Sequence, residues 1–572
     1  MLSRRAFIGS GLGALTVGLL AKRANALAAF GLNCPDTGAL PYGSAAPVLD
    51  VTNLPQSVMV DGIPFAPDWY GDVFQGSFLN LPFHTNETDY PGGVPPEPTE
   101  TVDVCVVGGG MSGLSTAYML RRFRPVVLEL WPRFGGVAKG ESWRGVPYSM
   151  GGAYFMVPDP GSSLESLYHE LGVDRQYKLS KDPDPVELNG ELVNNIFRSP
   201  RVPQQERDAL AAYQRWVDYF WNNYPDIPLV PGRDNRWIIE LDKVSFKADV
   251  EARLGYACPP ILWSIIQAYF YSSFGAGAER ISAAAGWNFV AAEEGGRWVL
   301  PGGNSGLVTA FYNRLKEMET APDSCPGQYL RAGCHAVDVR IMPDGLANVV
   351  YKDSANNFRG LRARRVVMAC SKHIAKHIIT DPLAGDPARA SALQQIHTMG
   401  YVVANILLDS PAPHSFYDIF MYGNAQWPSG EDGARAFSRI TDFVDGAYAV
   451  RGSHSHAVLT CYWPLAWTVG RTTLVPEDAW ANYTRAAAPQ VRAILDLIGV
   501  PHRSVVQVRL TRWGHAFPLS EIGLIANGTL ETIRAPMQGT IYFVCQDNWA
   551  LPAVETCLLE AQDMAAKIAV GL

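Results

Sequence analysis

The chain alternates between apolar runs that read as strands and stretches with helical spacing. The clearest case lies between Thr101 and Gly136. Val102 to Val107 is apolar and reads as a buried strand, and Leu114 to Arg122 shows helical spacing. Pro125 to Leu130 is a second apolar run, and Glu129 stands near its end. Between the first strand and the helix lies Gly108-Gly109-Gly110-Met111-Ser112-Gly113, a GxGxxG. This order is what a dinucleotide-binding βαβ unit requires. Gly108 allows the tight turn, and Gly110 lets the backbone approach a pyrophosphate. The free N–H groups and positive helix end at Met111 and Ser112 receive that pyrophosphate. Gly113 lets helix and strand pack closely, and Glu129 accepts from a ribose hydroxyl.

The same reading places further elements. Leu164 to Leu171, Trp216 to Trp221 and Ile261 to Phe274 are expected to be helical, the last two rich in aromatics. Ser282 to Ala285 is a small-residue stretch that lets helices approach. A helix is expected after Leu300 to Leu307, up to Leu315. Strands are expected at Val337 to Arg340, Asn348 to Val350 and Ala363 to Ala369, with a turn at Asp344-Gly345. Gly539 to Trp549 reads as a strand ending in a polar loop. Pro552 can occupy the first turn of a closing helix through Glu555, Leu559 and Met564.

With 572 residues and 48% hydrophobic content, two domains are expected. The net charge of −8 and the lack of a basic run exclude a nucleic-acid partner as a reading. Nine cysteines show no CxxC and no zinc spacing, so no metal site is expected. Their odd number leaves at least one thiol outside any intramolecular disulfide, and Cys105 and Cys370 read as buried core thiols. Residues 1–26 read as a twin-arginine signal. Ser3-Arg4-Arg5-Ala6-Phe7-Ile8 is followed by an apolar stretch, then Lys22-Arg23 and the cleavage pattern Ala24-Asn25-Ala26. That implies the twin-arginine translocase as partner and a periplasmic or secreted protein. An uncleaved anchor is the alternative.

Gly135-Gly136 and Met150-Gly151-Gly152-Ala153-Tyr154-Phe155 make the picture specific. Together with the GxGxxG and Glu129, they resemble the flavin-containing amine oxidase superfamily. The resemblance implies FAD as cofactor. It also implies an α/β fold: a Rossmann-like FAD-binding domain in three segments (101–190, 298–394 and 506–572), with a discontinuous α+β substrate domain (191–297 and 395–505). Residues 27–100, rich in Pro and Gly, are expected to be an irregular arm. On this resemblance Gly135, Gly136, Gly151, Gly152, Ala153 and Val337 stand at the cofactor. Asp547 reaches the ribityl chain, and the helix N-terminus at Ala553 and Val554 faces the flavin pyrimidine.

One branch fits better. Phe134-Gly135-Gly136-Val137-Ala138-Lys139, Pro301-Gly302-Gly303-Asn304, Arg512-Trp513-Gly514-His515-Ala516 and Tyr401-Val402-Val403-Ala404-Asn405 resemble bacterial spermidine dehydrogenase-like proteins. Those carry FGGHAK, PxGN, RWPHGY and YxxTN. Gly514 and Phe517 depart from that pattern. The lysine that many amine oxidases hold near flavin N5 is absent, since Ala404 or Asn405 stands there. The electron acceptor is therefore O2, a cytochrome or a quinone. His515 is the candidate general base, with a structural histidine as the alternative. It is expected in the cavity wall with Trp513 and Asn405. Trp513, Trp549 and Tyr154 are candidates for an aromatic wall that holds a cation, or plain core aromatics. Glu293 and Glu294 either attract a cationic substrate or form a solvated pair. Three functions follow: hydride removal from a C–H next to an amine nitrogen in a small-molecule substrate, desaturation or isomerisation of an apolar molecule, and a non-catalytic FAD-bound partner.

Overall fold

A computed structural model describes residues 36–40, 45–72, 90–181, 183–325, 327–412, 416–424, 427 and 439–572. The proposed signal segment and its cleavage site lie outside the described residues.

Two large sheets organise the molecule. The first has seven strands. Its parallel centre is Leu330–Ala332, Val126–Glu129, Thr101–Val107 and the long strand Phe358–Met368, with Ile541–Phe543 added beside the last. The antiparallel strands Ala347–Lys352 and His335–Ile341 extend it. Central strands buried on both faces need apolar residues throughout, and Val104 to Val107 are all buried. The helix after the first strand runs Met111–Met119 and packs between the helices Asn304–Glu319 and Val554–Val570. It ends earlier than the helical spacing suggests. Arg121–Phe123 is a 3-10 turn, and Arg124 closes it in the left-handed region at φ 48°. The closing helix begins at Val554, so Pro552 precedes it rather than opening its first turn.

The second sheet has eight strands. Asp418–Phe420, Asp442–Asp445, Ala457–Pro464, Tyr401–Leu408 and Val505–Trp513 follow one another antiparallel. Val505–Trp513 was expected in the closing segment of the nucleotide fold. It pairs along its length with Tyr401–Leu408 instead, because both strands are buried nearly throughout and satisfy each other's backbone. The helices Gln204–Asn222, Phe246–Leu254, Pro260–Phe274 and Ala283–Ala292 form a cluster of their own. A side chain at Gly286, just after the small-residue stretch, would meet the Phe246 ring at 2.3 Å, so the helices Phe246–Leu254 and Ala283–Ala292 come close there.

The arm is not irregular where it is described. Val48–Asp50 runs parallel to Gly140–Trp143. Val58–Val60 and Ile63–Phe65 form a hairpin over Asp61-Gly62, both at positive φ as such a tight turn requires. Ile63–Phe65 and Tyr70–Gly71 then dock on Val505–Trp513. Alternation in these short runs is hidden by the surrounding prolines and glycines.

Candidate functional site: a cavity between two sheets

A cavity of about 220 Å³ runs from Met111, at the start of the first helix, to the inner face of the second sheet. Its near end is lined by Val137, Ala138, Gly151, Gly152, Ala153, Asn304, Ala553 and Val554. Its far end is lined by Tyr154, Tyr401, Tyr462, Trp513, Phe420, Asp418 and Asp442.

The near end fits a dinucleotide cofactor. A Cβ at Gly110 would sit 3.6 Å from the Gly136 Cα, so the two glycine loops leave only a narrow cleft. Gly135 stands at φ 116° and donates its N–H to the Gly109 carbonyl at 2.8 Å. Glu129 is buried and accepts from the N–H groups of Gly109 and Trp131, each at 2.8 Å. Burial raises its carboxyl above the usual range. The helices Met111–Met119 and Val554–Val570 start at Gly110 and Ala553, with no side-chain cap on either. Met111, Ala553 and Val554 line the cavity, so the positive ends of both helices face it. Ser112 lies buried in the first turn beside Cys557. The Asn304 Oδ1 is buried with no partner among the described residues, a further polar atom for a cofactor to satisfy.

Val337 and Asp547, also expected at the cofactor, do not line this cavity. Val337 packs with Tyr90, Val350 and Phe358 and does not line the cavity. Asp547 is buried, and its carboxylate accepts from the Lys372 N–H at 2.6 Å and from Ser371 Oγ at 3.0 Å. Gln546 beside it is the one that lines the cavity.

The expected catalytic group is also divided. Trp513 lines the cavity and donates Nε1–H to the Met150 carbonyl at 2.7 Å. His515 does not line it. Its Nδ1 lies 2.6 Å from Thr398 Oγ1 and 3.2 Å from Arg471 Nη1, and its ring stacks on His373 at 3.8 Å. Asn405 lies one strand pair beyond Val403, where its Oδ1 accepts from Thr460 Oγ1 at 2.8 Å. The strand pairing decides both outcomes. Trp513 is the last residue of its strand, and the chain turns at Gly514, which carries His515 onto the other side. In the aromatic wall Tyr154 joins Trp513, whereas Trp549 donates Nε1–H to Glu560 and takes no part. Glu293 is not a solvated acid: it accepts from Tyr154 Oη at 2.8 Å and Tyr269 Oη at 3.3 Å. Glu294 accepts from Gln214.

The residues that the sequence reading missed are Asp418 and Asp442. Both are almost fully buried in the cavity wall. Asp418 pairs with Arg297 at 3.1 Å, and its Oδ1 has no partner among the described residues. Arg297 also pairs with Asp184 at 3.4 Å and Glu293 at 3.6 Å. Burial raises Asp442 to about 7. Burial, and then the charge of Asp442, hold Asp418 well above the ordinary carboxylate range. The available signal was an aspartate inside each of two aromatic, strand-like runs, Phe416 to Tyr422 and Ile440 to Val444.

A family model described as flavin containing amine oxidoreductase matches residues 111–543. The chain belongs to that family. Its cofactor is FAD and it is an FAD-dependent oxidoreductase. Oxidoreductase PigB of a Serratia species is 21% identical over 546 residues, covering 86% of this chain and 78% of that protein. Among solved structures, a putrescine oxidase redesigned in its cofactor binding superposes with a TM-score of 0.61 at 18% identity. It covers 83% of this chain and all of that one. Cyclohexylamine oxidase from Brevibacterium oxydans gives 0.58 at 17% identity, covering 82% and 99%. At these identities the superpositions show the amine oxidase fold.

Proposed function

We propose that this flavin amine oxidoreductase takes a hydride from the C–H bond beside an amine nitrogen, and that it works outside the cytoplasm. The acid pair in the cavity wall carries the reading. Asp184, Glu293 and Asp418 all lean on one guanidinium, that of Arg297, and Asp442 adds a fourth carboxyl close by. Such a wall attracts a cation. An apolar substrate would leave the Asp418 Oδ1 buried and unpaired, which costs about 1–3 kcal/mol.

The chain's own groups then divide the work. Tyr154, Tyr401, Tyr462 and Trp513 offer aromatic faces to an ammonium group and its alkyl chain. Asp442 titrates close to neutrality, so its carboxylate can take the ammonium proton and free the nitrogen lone pair. On this reading the proton acceptor is Asp442 rather than His515, which does not line the cavity. FAD, when bound, supplies the two-electron acceptor for the hydride. The positive end of the helix Val554–Val570 favours negative charge at its end of the cavity. Tyr401–Leu408 carries no lysine, and we read the onward acceptor as a cytochrome or quinone rather than O2.

Export by the twin-arginine translocase rests on Arg4-Arg5, Lys22-Arg23 and Ala24-Asn25-Ala26. Cys325 is disulfide-bonded, a state that an oxidising compartment favours. The deciding experiment is anaerobic mixing of the yellow protein with panels of amines, amino acids, alcohols and apolar alkenes. Bleaching by amines is expected. Bleaching by alkenes alone, or by nothing, overturns the reading.

A further inference from the structure

The loop Gly514–Phe517 has two faces. Ala516 and Phe517 line the cavity. His515 points the other way and stacks on His373 beside Arg471. His373 belongs to the helix Lys372–Ile378, which also carries Lys376 and the exposed His377. The His373 and His377 rings are 6.0 Å apart. Lys376 and Arg471 are both half-buried. Burial lowers the pKa of each, and the charge of Arg471 lowers that of Lys376 further. No carboxylate among the described residues faces either of them. Glu521 is engaged by His397 and Arg280.

Two facing cations with no counter-charge are costly to hold in a half-buried place, and neither belongs to the cavity. The chain as a whole carries −8, so this cationic cluster stands against the net charge. Against a negative net charge, an acidic protein is attracted where cations cluster. The patch is built from separate segments, around 373–377, 471 and 515, and its side chains stay partly exposed. This suits a broad protein face better than a single small ion. A single loop separates the patch from the cavity.

We propose that Lys376 and Arg471, flanked by His373 and His377, dock the carboxylate-rich face of an electron-accepting protein. The proposal rests on the dehydrogenase reading above only for the need of an acceptor. Oxidation of one amine to an imine releases two electrons and two protons. Two molecules of a one-electron acceptor take the electrons in turn, and the protons pass to solvent.

The test uses the holoenzyme reduced with dithionite, mixed with an acidic c-type cytochrome, a basic one of similar potential, ferricyanide, or neutral benzoquinone. The rate with the acidic cytochrome should fall as salt is raised. It should fall about tenfold in Lys376→Glu, with benzoquinone unchanged and the basic cytochrome faster. Calorimetric titration of oxidised holoenzyme with the acidic cytochrome should show the same loss of affinity. Lys376→Ala, checked for melting temperature and FAD content, should show a smaller loss and guards against misfolding. Equal rates and affinities in all variants overturn the proposal. So does a loss confined to ferricyanide, which would mark a site for small anions. Dithionite supplies the electrons, so failure of amines to bleach the flavin would sink the proposed reaction and leave this test standing.

Discussion

Tyr401 and Trp513 stand opposite each other in register on neighbouring antiparallel strands, and both rings line the cavity. Each has its polar end tied away from it. The Tyr401 hydroxyl donates to the Ser272 carbonyl at 3.1 Å, and the Trp513 N–H donates to the Met150 carbonyl at 2.7 Å. What they turn to the cavity is therefore ring surface, and in the proposed reaction recognition of charge falls to Asp418 and Asp442.

Asp442→Asn should raise the KM for amines on the order of thirtyfold or more, because it removes a buried charge that pairs with the substrate cation. FAD content should stay as in the parent. Stopped-flow reduction at varied amine concentration separates KM from the limiting rate, and an unchanged KM would move the cation site elsewhere.

Gly110→Ala and Gly113→Ala should differ in kind. A Cβ at Gly113 would lie 1.8 Å from the Gly108 carbonyl oxygen, whereas one at Gly110 meets the Gly136 Cα at a tolerable 3.6 Å. Gly113→Ala is expected to lose soluble protein. Gly110→Ala should fold and bind FAD more weakly, read from the absorbance ratio after gel filtration. Equal yields and equal colour would refute the assignment of the glycine cleft.

Burial raises Asp442 to about 7 and Asp445 to about 6. Their unfolded values lie near 3.9. Between those limits the folded state holds protons that the unfolded chain has released. This contribution to stability is full at low pH, falls as pH rises through about 4 to 7, and is gone above it. Urea midpoints from about pH 5 to 8 should show the decline, and Asp442→Asn with Asp445→Asn should flatten it. A slope that survives both substitutions would assign it to other groups.

His515→Ala should slow flavin reduction by less than about tenfold, well below the hundredfold or more that general bases can contribute. The imidazole is engaged with Thr398, Arg471 and His373 outside the cavity lining. A hundredfold loss with full FAD content would restore it as the base.

Replacing Arg4 and Arg5 by Lys should leave the precursor in the cytoplasm, followed by fractionation and immunoblotting. Mature protein still reaching the periplasm would refute the twin-arginine reading.

The nucleotide half of the fold was legible because its signals are local. A strand, a glycine turn and a helix follow one another from Thr101 to Met119, Gly113 closes against Gly108 inside that stretch, and Gly110 faces Gly135-Gly136. The substrate half depends on pairings between distant segments. Nothing local says that Val505–Trp513 lies beside Tyr401–Leu408 rather than beside Ile541–Phe543, and that choice decides where His515 points. The acids escaped notice for a related reason. Asp418 and Asp442 become one feature only when their two strands pair. Taken singly, each is an aspartate among aromatics.

The strand Ile63–Phe65 also sets a timetable. Phe65 pairs with Val508, from the far end of the chain, and Tyr70 pairs with Thr511. A ribosome delivers the first partner early and the second almost last. Until then the arm's hairpin has an open edge, and the cavity lacks the wall that Trp513 and the closing helix provide. The sheet is finished, and the site closed, only once the segment from Val505 through the closing helix has been made. An arm already seated therefore reports that this distant segment has folded.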